Sequence, residues 1–250
     1  MKISATIVTL NEERNIARAM ESLRCVDEIL VVDSGSTDRT RAIAARLGAR
    51  VVEEPWRGYA AQKNFASEQA SYPWILSLDA DEMLSEELEA DILALRQQGP
   101  RCDAYSMPRL AQYLGRWILH SGWYPDRKIR LFHRDRARWT GEYVHESVRL
   151  REAGATEGKL EGKLLHFTCD SLSAHLQTLD GYTTLAAAQL KANDTPVPLR
   201  RLLLDPSWTF FRTYFIRRGF LDGPQGLAIA WMAALYTFLK YAKARRDLAP

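Results

Sequence analysis

Apolar and polar positions in the first hundred residues alternate between two periods, and each switch marks the passage from strand to helix or back. Residues 3–9, Ile-Ser-Ala-Thr-Ile-Val-Thr, alternate as a strand does. From about Glu12, Ile16, Ala19, Met20 and Leu23 recur three and four apart, which predicts a helix capped by Asn11, with Glu12 and Glu13 set against its dipole. Residues 28–33 are almost wholly apolar, as in a parallel strand covered on both faces. Ser34-Gly35-Ser36-Thr37 then predicts a turn into a helix over about 38–47. Strands are expected at 49–53 and 74–79, separated by a helix at 59–69. Ser85 is set to cap a further helix, with Glu86 and Glu87 in its first turn and Leu88, Ile92 and Leu95 on one face. This repeated strand–helix order predicts an α/β fold, an open and mostly parallel sheet flanked by helices.

Beyond Gly99 the segments shorten. Residues 103–107, 128–132 and 163–166 predict short strands, partly antiparallel, and 171–191 a helix. Pro196 and Pro198 mark a boundary, giving a domain over 1–195 and a C-terminal helical extension over 196–250 that is broken at 219–224. The extension sets Trp208, Phe210, Phe211, Tyr214 and Phe215 beside Arg212, Arg217 and Arg218. Its uncharged stretch, 226–239, is shorter than the roughly twenty residues a membrane span needs. Basic and aromatic residues together suit the interface of an anionic membrane. The alternative is a helical pair packed on the domain or on a second copy of the chain, a homo-oligomer.

Composition narrows the class. The 250 residues are 46% hydrophobic and 26% charged, which excludes a disordered chain. A net charge of +3 gives no basis for nucleic-acid binding. Cys25, Cys102 and Cys169 form no Cys-x-x-Cys pair, which argues against zinc and a disulfide framework and for a reducing compartment. No apolar leader precedes the first strand, so a cytoplasmic location is expected.

Ligands of open parallel sheets bind beyond the carboxyl ends of the strands. Three polar clusters are predicted there: Thr9-Leu10-Asn11-Glu12, Asp33-Ser34-Gly35-Ser36-Thr37-Asp38 and Asp79-Ala80-Asp81-Glu82. Carboxylates this close repel one another, and a divalent cation relieves the repulsion. Mg²⁺ or Mn²⁺ takes one or two of them and completes its shell with water and phosphate oxygens, so a nucleotide diphosphate is the expected partner. Neither Gly-x-x-x-x-Gly-Lys-Ser/Thr nor Gly-x-Gly-x-x-Gly is present, which argues against a P-loop enzyme and an NAD enzyme.

On these residues the chain resembles the family 2 glycosyltransferases, inverting enzymes of GT-A fold. The matching stretches are Ile7–Glu12, Ile29–Thr40, Gln62–Ala66 and Trp74–Glu82, in the family's order. The second half is similar to a narrower group, the lipopolysaccharide inner-core β-glucosyltransferases, through Lys128–Phe132, the Gly141–Glu146 segment, His166 and Arg218–Gly223. The resemblance implies that Thr9, Asn11, Glu12, Asp33 and Asp38 border the nucleotide and that Lys63 and Asn64 are base- and ribose-side contacts. It implies that Asp79 and Asp81 serve ribose, metal and diphosphate, with His166 completing the metal shell. Glu146 is the expected base that deprotonates the acceptor hydroxyl, with Glu142 the alternative. Arg130 is expected on the diphosphate or in a surface salt bridge. Tyr113, Trp117, Trp123 and Tyr124 are expected as an acceptor-side platform or as core.

The activity so implied is transfer of a hexose, glucose from UDP-glucose, to a lipopolysaccharide core or another lipid-linked oligosaccharide, at the cytoplasmic face of the inner membrane. Sugar-1-phosphate nucleotidylyl transfer and a non-catalytic nucleotide-sugar-binding scaffold are the rivals. The first is disfavoured because Leu10-Asn11-Glu12-Glu13 stands where a glycine-rich basic loop is required.

Overall fold

A computed structural model of the chain describes residues 1–141 and 146–245. Two compact units are formed, the first from Met1–Arg109 and Asp126–His166, the second from Leu110–Pro125 and Phe167 onward.

The first unit opens with β1 (Ile3–Thr9), α1 (Ile16–Glu21), β2 (Glu28–Asp33), α2 (Thr40–Arg46), β3 (Arg50–Glu53), α3 (Tyr59–Gln69) and β4 (Trp74–Asp79). β5 (Glu82–Leu84) and α4 (Glu86–Gln98) follow, then β6 (Ala104–Tyr113), whose end passes into the second unit together with β7 (Arg116–Trp117); back in the first unit are β8 (Asp126–His133), β9 (Ala137–Thr140), β10 (Ser147–Leu150), β11 (Glu157–Lys159) and β12 (Leu164–Cys169), the last again ending in the second. The sheet runs β3-β2-β1-β4-β8-β6, parallel across the first four strands and antiparallel at β8 and β6. This is the mixed, mostly parallel sheet flanked by helices that the periodicity predicts.

Alternate residues of a strand face opposite sides, and here both sides are covered. Ile3, Ala5 and Ile7 of β1 pack with Ile16, Ala19 and Met20 of α1 and with Leu88 and Ile92 of α4. Leu30 and Val32 of β2 pack with Ala66 of α3, Ile75 and Phe132. Double coverage is why β2 and β4 are nearly unbroken apolar runs. Ser85 caps α4, its side chain accepting from Leu88 N at 3.2 Å.

Several elements differ from expectation, among them the short strands β7, β9, β10 and β11, which the periodicity does not predict. Asn11 does not cap a helix. It adopts a left-handed φ of 56° and its Oδ1 accepts from Thr37 N, while Glu12 N and Glu13 N donate to Thr40 Oγ1 and Asp38 Oδ2. The segment is tied to the β2–α2 loop, and α1 starts four residues after the predicted onset, at Ile16. β5 is unforeseen, because three residues are too few to show a period; it pairs antiparallel with β12 in the register His166↔Glu82. β6 extends through Pro108 to Tyr113 instead of ending near Met107.

In the second unit are α5 (Leu172–Ala192), α6 (Leu199–Phe211), a π-helical turn at Arg212–Ile216, a 3₁₀ turn at Gly219–Asp222 and α7 (Gly223–Ala244). Contacts divide the chain at residue 167, well before Pro196, because α5 is fastened to α7. Lys243 Nζ reaches Asp180 Oδ1 at 2.7 Å and the hydroxyls of Thr183 and Thr184 at 2.8 Å. Pro198 does precede a helix, as the N-cap of α6. Buried Asp222 accepts from Leu119 N, His120 N and Ser121 Oγ at 2.9–3.2 Å, tying the 3₁₀ turn to residues 119–121. Among the described residues, no helix is long and apolar enough to cross a membrane.

Candidate active site at the strand tips

Strand register sets the site. Thr9 pairs with Asp33 and Val8 with Asp79, so β1, β2 and β4 end on one row, and the three polar clusters emerge side by side. Thr9 itself is buried. Asp33 is wholly buried and shapes its own loop, accepting from Gly35 N at 3.1 Å and Ser36 N at 2.8 Å. Asp38 accepts from Thr40 N and Glu13 N, which holds the Asn11–Glu13 segment against the Asp33 loop.

The clusters also meet electrostatically. Burial pushes the Glu12 carboxyl above its ordinary pKa, and the charges of Asp81 and Asp38 push the same way, against a hydrogen bond from Asn15. Glu12 and Asp81 therefore feel one another across neighbouring strand tips, a repulsion that a bound cation relieves.

Behind them lies a buried ion cluster. Lys63 Nζ stands 2.7 Å from Asp79 Oδ1 and 3.0 Å from Glu146 Oε1. Arg130, 3% exposed, reaches Asp79 Oδ2 at 2.9 Å and Glu82 Oε1 at 2.6 Å. Burial alone would raise the Asp79 carboxyl, yet Arg130 and Lys63 hold it well below the usual carboxylate range. Burial likewise opposes the Arg130 charge, and Glu82 and Asp79 restore it and raise its pKa. Both cations lie over the Trp139 ring, Lys63 at 4.3 Å and Arg130 at 5.2 Å from its centroid.

Several expected residues take positions the sequence does not reveal. Arg130 is no surface salt bridge: its guanidinium is spent on Asp79 and Glu82 inside the protein. Asn64 gives both ends of its amide to the Trp139 backbone, donating to the carbonyl at 2.9 Å and accepting from the N–H at 3.0 Å. Tyr113 is fully buried, hydrogen-bonded to His175 Nδ1 at 2.8 Å and edge-on to Trp123, so it is core and not a sugar platform. Glu142 and His145 lie outside the described residues. Sequence reasoning assigned no role to Glu82 or Trp139. The acidic run contained Glu82, but its burial depends on Arg130, forty-eight residues away.

His166 Nε2 lies 3.1 Å from Asp81 Oδ2. Burial would lower the imidazole pKa, but the Asp81 hydrogen bond and the charges of Asp81 and Glu82 raise it. Among the described residues, no three His, Cys, Asp or Glu side chains converge to cage a metal. Asp81 and His166 are a carboxylate and an imidazole within reach of one ion, and Asp79 is already held by two cations. This donor set fits a divalent ion completed by diphosphate and water oxygens, not one enclosed by protein.

The sequence matches the family model described as Glycosyl transferase family 2 over residues 4–153. It is 35% identical over 266 aligned residues to an uncharacterised glycosyltransferase of Rickettsia felis, covering 99% of this chain and 90% of that one. To the lipopolysaccharide core biosynthesis glycosyltransferase LpsC of Rhizobium meliloti it is 33% identical over 249 residues, covering 97% and 92%. A mycobacterial protein of solved structure superposes over 78% of this chain and 75% of its own with a TM-score of 0.50 at 16% identity, a likeness of fold alone. Sheet order, strand-tip clusters and family match agree: the chain belongs to glycosyl transferase family 2 and has the GT-A fold.

Proposed function

We propose that the protein is an inverting hexosyltransferase that moves a sugar, glucose from UDP-glucose, onto a lipopolysaccharide core or a similar lipid-linked acceptor. The observation that carries the reading is the common row of strand ends, from which the Asn11–Glu12, Asp33–Asp38 and Asp79–Glu82 clusters emerge beside the Lys63–Asp79–Arg130 ion cluster. The acceptor class is supported by LpsC, whose similarity spans nearly all of both chains. A peripheral position at the cytoplasmic face of the inner membrane is supported by exposed Leu203, Leu204, Trp208 and Phe215 among the arginines of the helical unit.

In this reading Asn11, Glu12 and the loop built on Asp33 and Asp38 border the nucleotide. Asp81 and His166 would hold Mg²⁺ or Mn²⁺, which would neutralise charge on the departing diphosphate. The acceptor oxygen attacks the anomeric carbon, its proton passes to Glu146, and the bond from that carbon to the diphosphate breaks. Lys63, bridging Asp79 and Glu146, aims the base and fixes its distance from the donor side of the site.

Glu146→Gln should reduce turnover by at least about a thousandfold, within the range that general-base catalysis and orientation supply together, while UDP-glucose with Mn²⁺ still raises the melting temperature. Asp81→Ala should lose both turnover and the Mn²⁺-dependent shift. Full activity in Glu146→Gln would remove the base assignment. Binding of the donor with no UDP release under any acceptor would favour a scaffold.

A further inference from the structure

A cavity of about 500 Å³ lies within the helical unit, and every residue lining it belongs to that unit. Its size suits a small-molecule site, which typically occupies about 300–1,000 Å³. Three helices wall it: Leu179 and Tyr182 from α5, Thr209 from α6, and Ile229, Met232 and Tyr236 from α7. Trp123 lines it as well.

Several polar groups of the wall are already committed. Tyr113 Oη is bonded to His175 Nδ1 at 2.8 Å, Thr237 Oγ1 donates to Ala233 O at 2.9 Å and Cys169 Sγ to Ser171 O at 3.0 Å. Burial lowers the His175 pKa. The surface left to a ligand is mainly hydrocarbon and aromatic. A sugar or nucleotide, polar on every side, would have much of its surface set against hydrocarbon there.

One cation lines the cavity. Arg212 follows α6 in the π-helical turn, exposed, and among the described residues no hydrogen bond or ion pair engages its guanidinium. The same stretch of helix presents Trp208, Phe211 and Phe215, each about half exposed and packed ring to ring, with centroids 5.9 and 5.2 Å apart. An apolar cavity, a free guanidinium and a strip of aromatic rings thus share one helix.

We infer that this cavity takes one hydrocarbon chain of an anionic lipid, the tail among Leu179, Ile229, Met232 and Tyr236 and the head group against Arg212. The lipid comes from a bilayer in whose interface Trp208, Phe211 and Phe215 lie. This goes beyond sugar transfer, and binding needs neither nucleotide nor metal.

The test uses the full chain and lysophosphatidylglycerol carrying a dibrominated acyl chain, kept below its micelle concentration, with tryptophan fluorescence as readout. A tail in the cavity quenches Trp123 saturably, at one lipid per chain. Trp123→Phe should remove most of the saturable quench. Ala233→Phe, which fills the cavity from α7, should weaken binding by about tenfold or more; Thr209→Phe fills it from α6 if the first variant fails to fold. Arg212→Gln should weaken binding several-fold, and lysophosphatidylcholine with the same chain should bind several-fold less well than the anionic lipid. Quenching that does not saturate, or that survives both the filling variant and Trp123→Phe, reports adsorption at exposed Trp208 and Trp231 and overturns the inference.

Discussion

Arg130 holds a full positive charge at 3% exposure, where the carboxylates of Asp79 and Glu82 meet it. Removing one partner of such a buried set leaves the others uncompensated, which typically costs about 3–5 kcal/mol. Arg130→Met should therefore lower the unfolding free energy by an amount of that order, read as a lower urea midpoint, whereas Arg130→Met with Glu82→Leu should recover much of it. Glu28 is the counterpart nearer the surface. Burial opposes its ionisation, but Ser4, the N–H and hydroxyl of Ser71, and Arg50 push its carboxyl down to about 2 from 4.5. Between those values the unfolded chain takes up a proton that the folded one refuses, so stability rises with pH through that window and is lost as pH falls through it. Glu28→Gln should flatten that part of an acid-unfolding curve and leave neutral-pH behaviour above 4.5 parallel to wild type.

At the scale of elements, the helical unit depends on close backbone approaches, the tightest at Gly226. A Cβ on Gly226 would sit 1.8 Å from Gly219 O and 3.0 Å from the Asp222 side chain, so backbone must move to admit it. Gly226→Ala should destabilise by roughly 1–3 kcal/mol, the usual cost of overpacking, read as a lower melting temperature. Elements that announce themselves by period were legible in advance: β1, β2, α3 and β4 fall within a residue or two of the pattern, and Ser85 caps as expected. What the pattern missed depends on distant partners. Asn11 sits before a helical run and carries a capping side chain, but Thr37 claims that side chain, so α1 starts later. The three strand tips were readable from residue type and strand order. The ion cluster behind them was not, because nothing local tells Lys128-Ile129-Arg130 that its arginine will be roofed by Trp139 and met by Glu82.

For the whole molecule, the family model ends at residue 153, yet LpsC and the Rickettsia felis protein align with 97% and 99% of the chain. The helical unit is therefore shared with these relatives and is no private appendage. Its aromatic and basic surface predicts binding to phosphatidylglycerol vesicles in flotation, weaker binding to phosphatidylcholine, and a decline as salt shortens electrostatic reach. Equal recovery with both vesicle types at every ionic strength would leave charge without a part in it.

Asn64 touches neither cation nor carboxylate of the cluster, yet it fastens both backbone groups of Trp139 on β9. β9 pairs with β10 in the register Thr140↔Ser147, and Glu146 is the residue immediately before Ser147. Glu146, the proposed proton acceptor, thus adjoins a strand pair whose other arm, packed in the core through Ala137 and Trp139, is also fastened at its backbone by one carboxamide. Loosening that mooring, as in Asn64→Ala, would let the carboxylate wander while the donor pocket keeps its shape, and the loss would surface in kcat before KM.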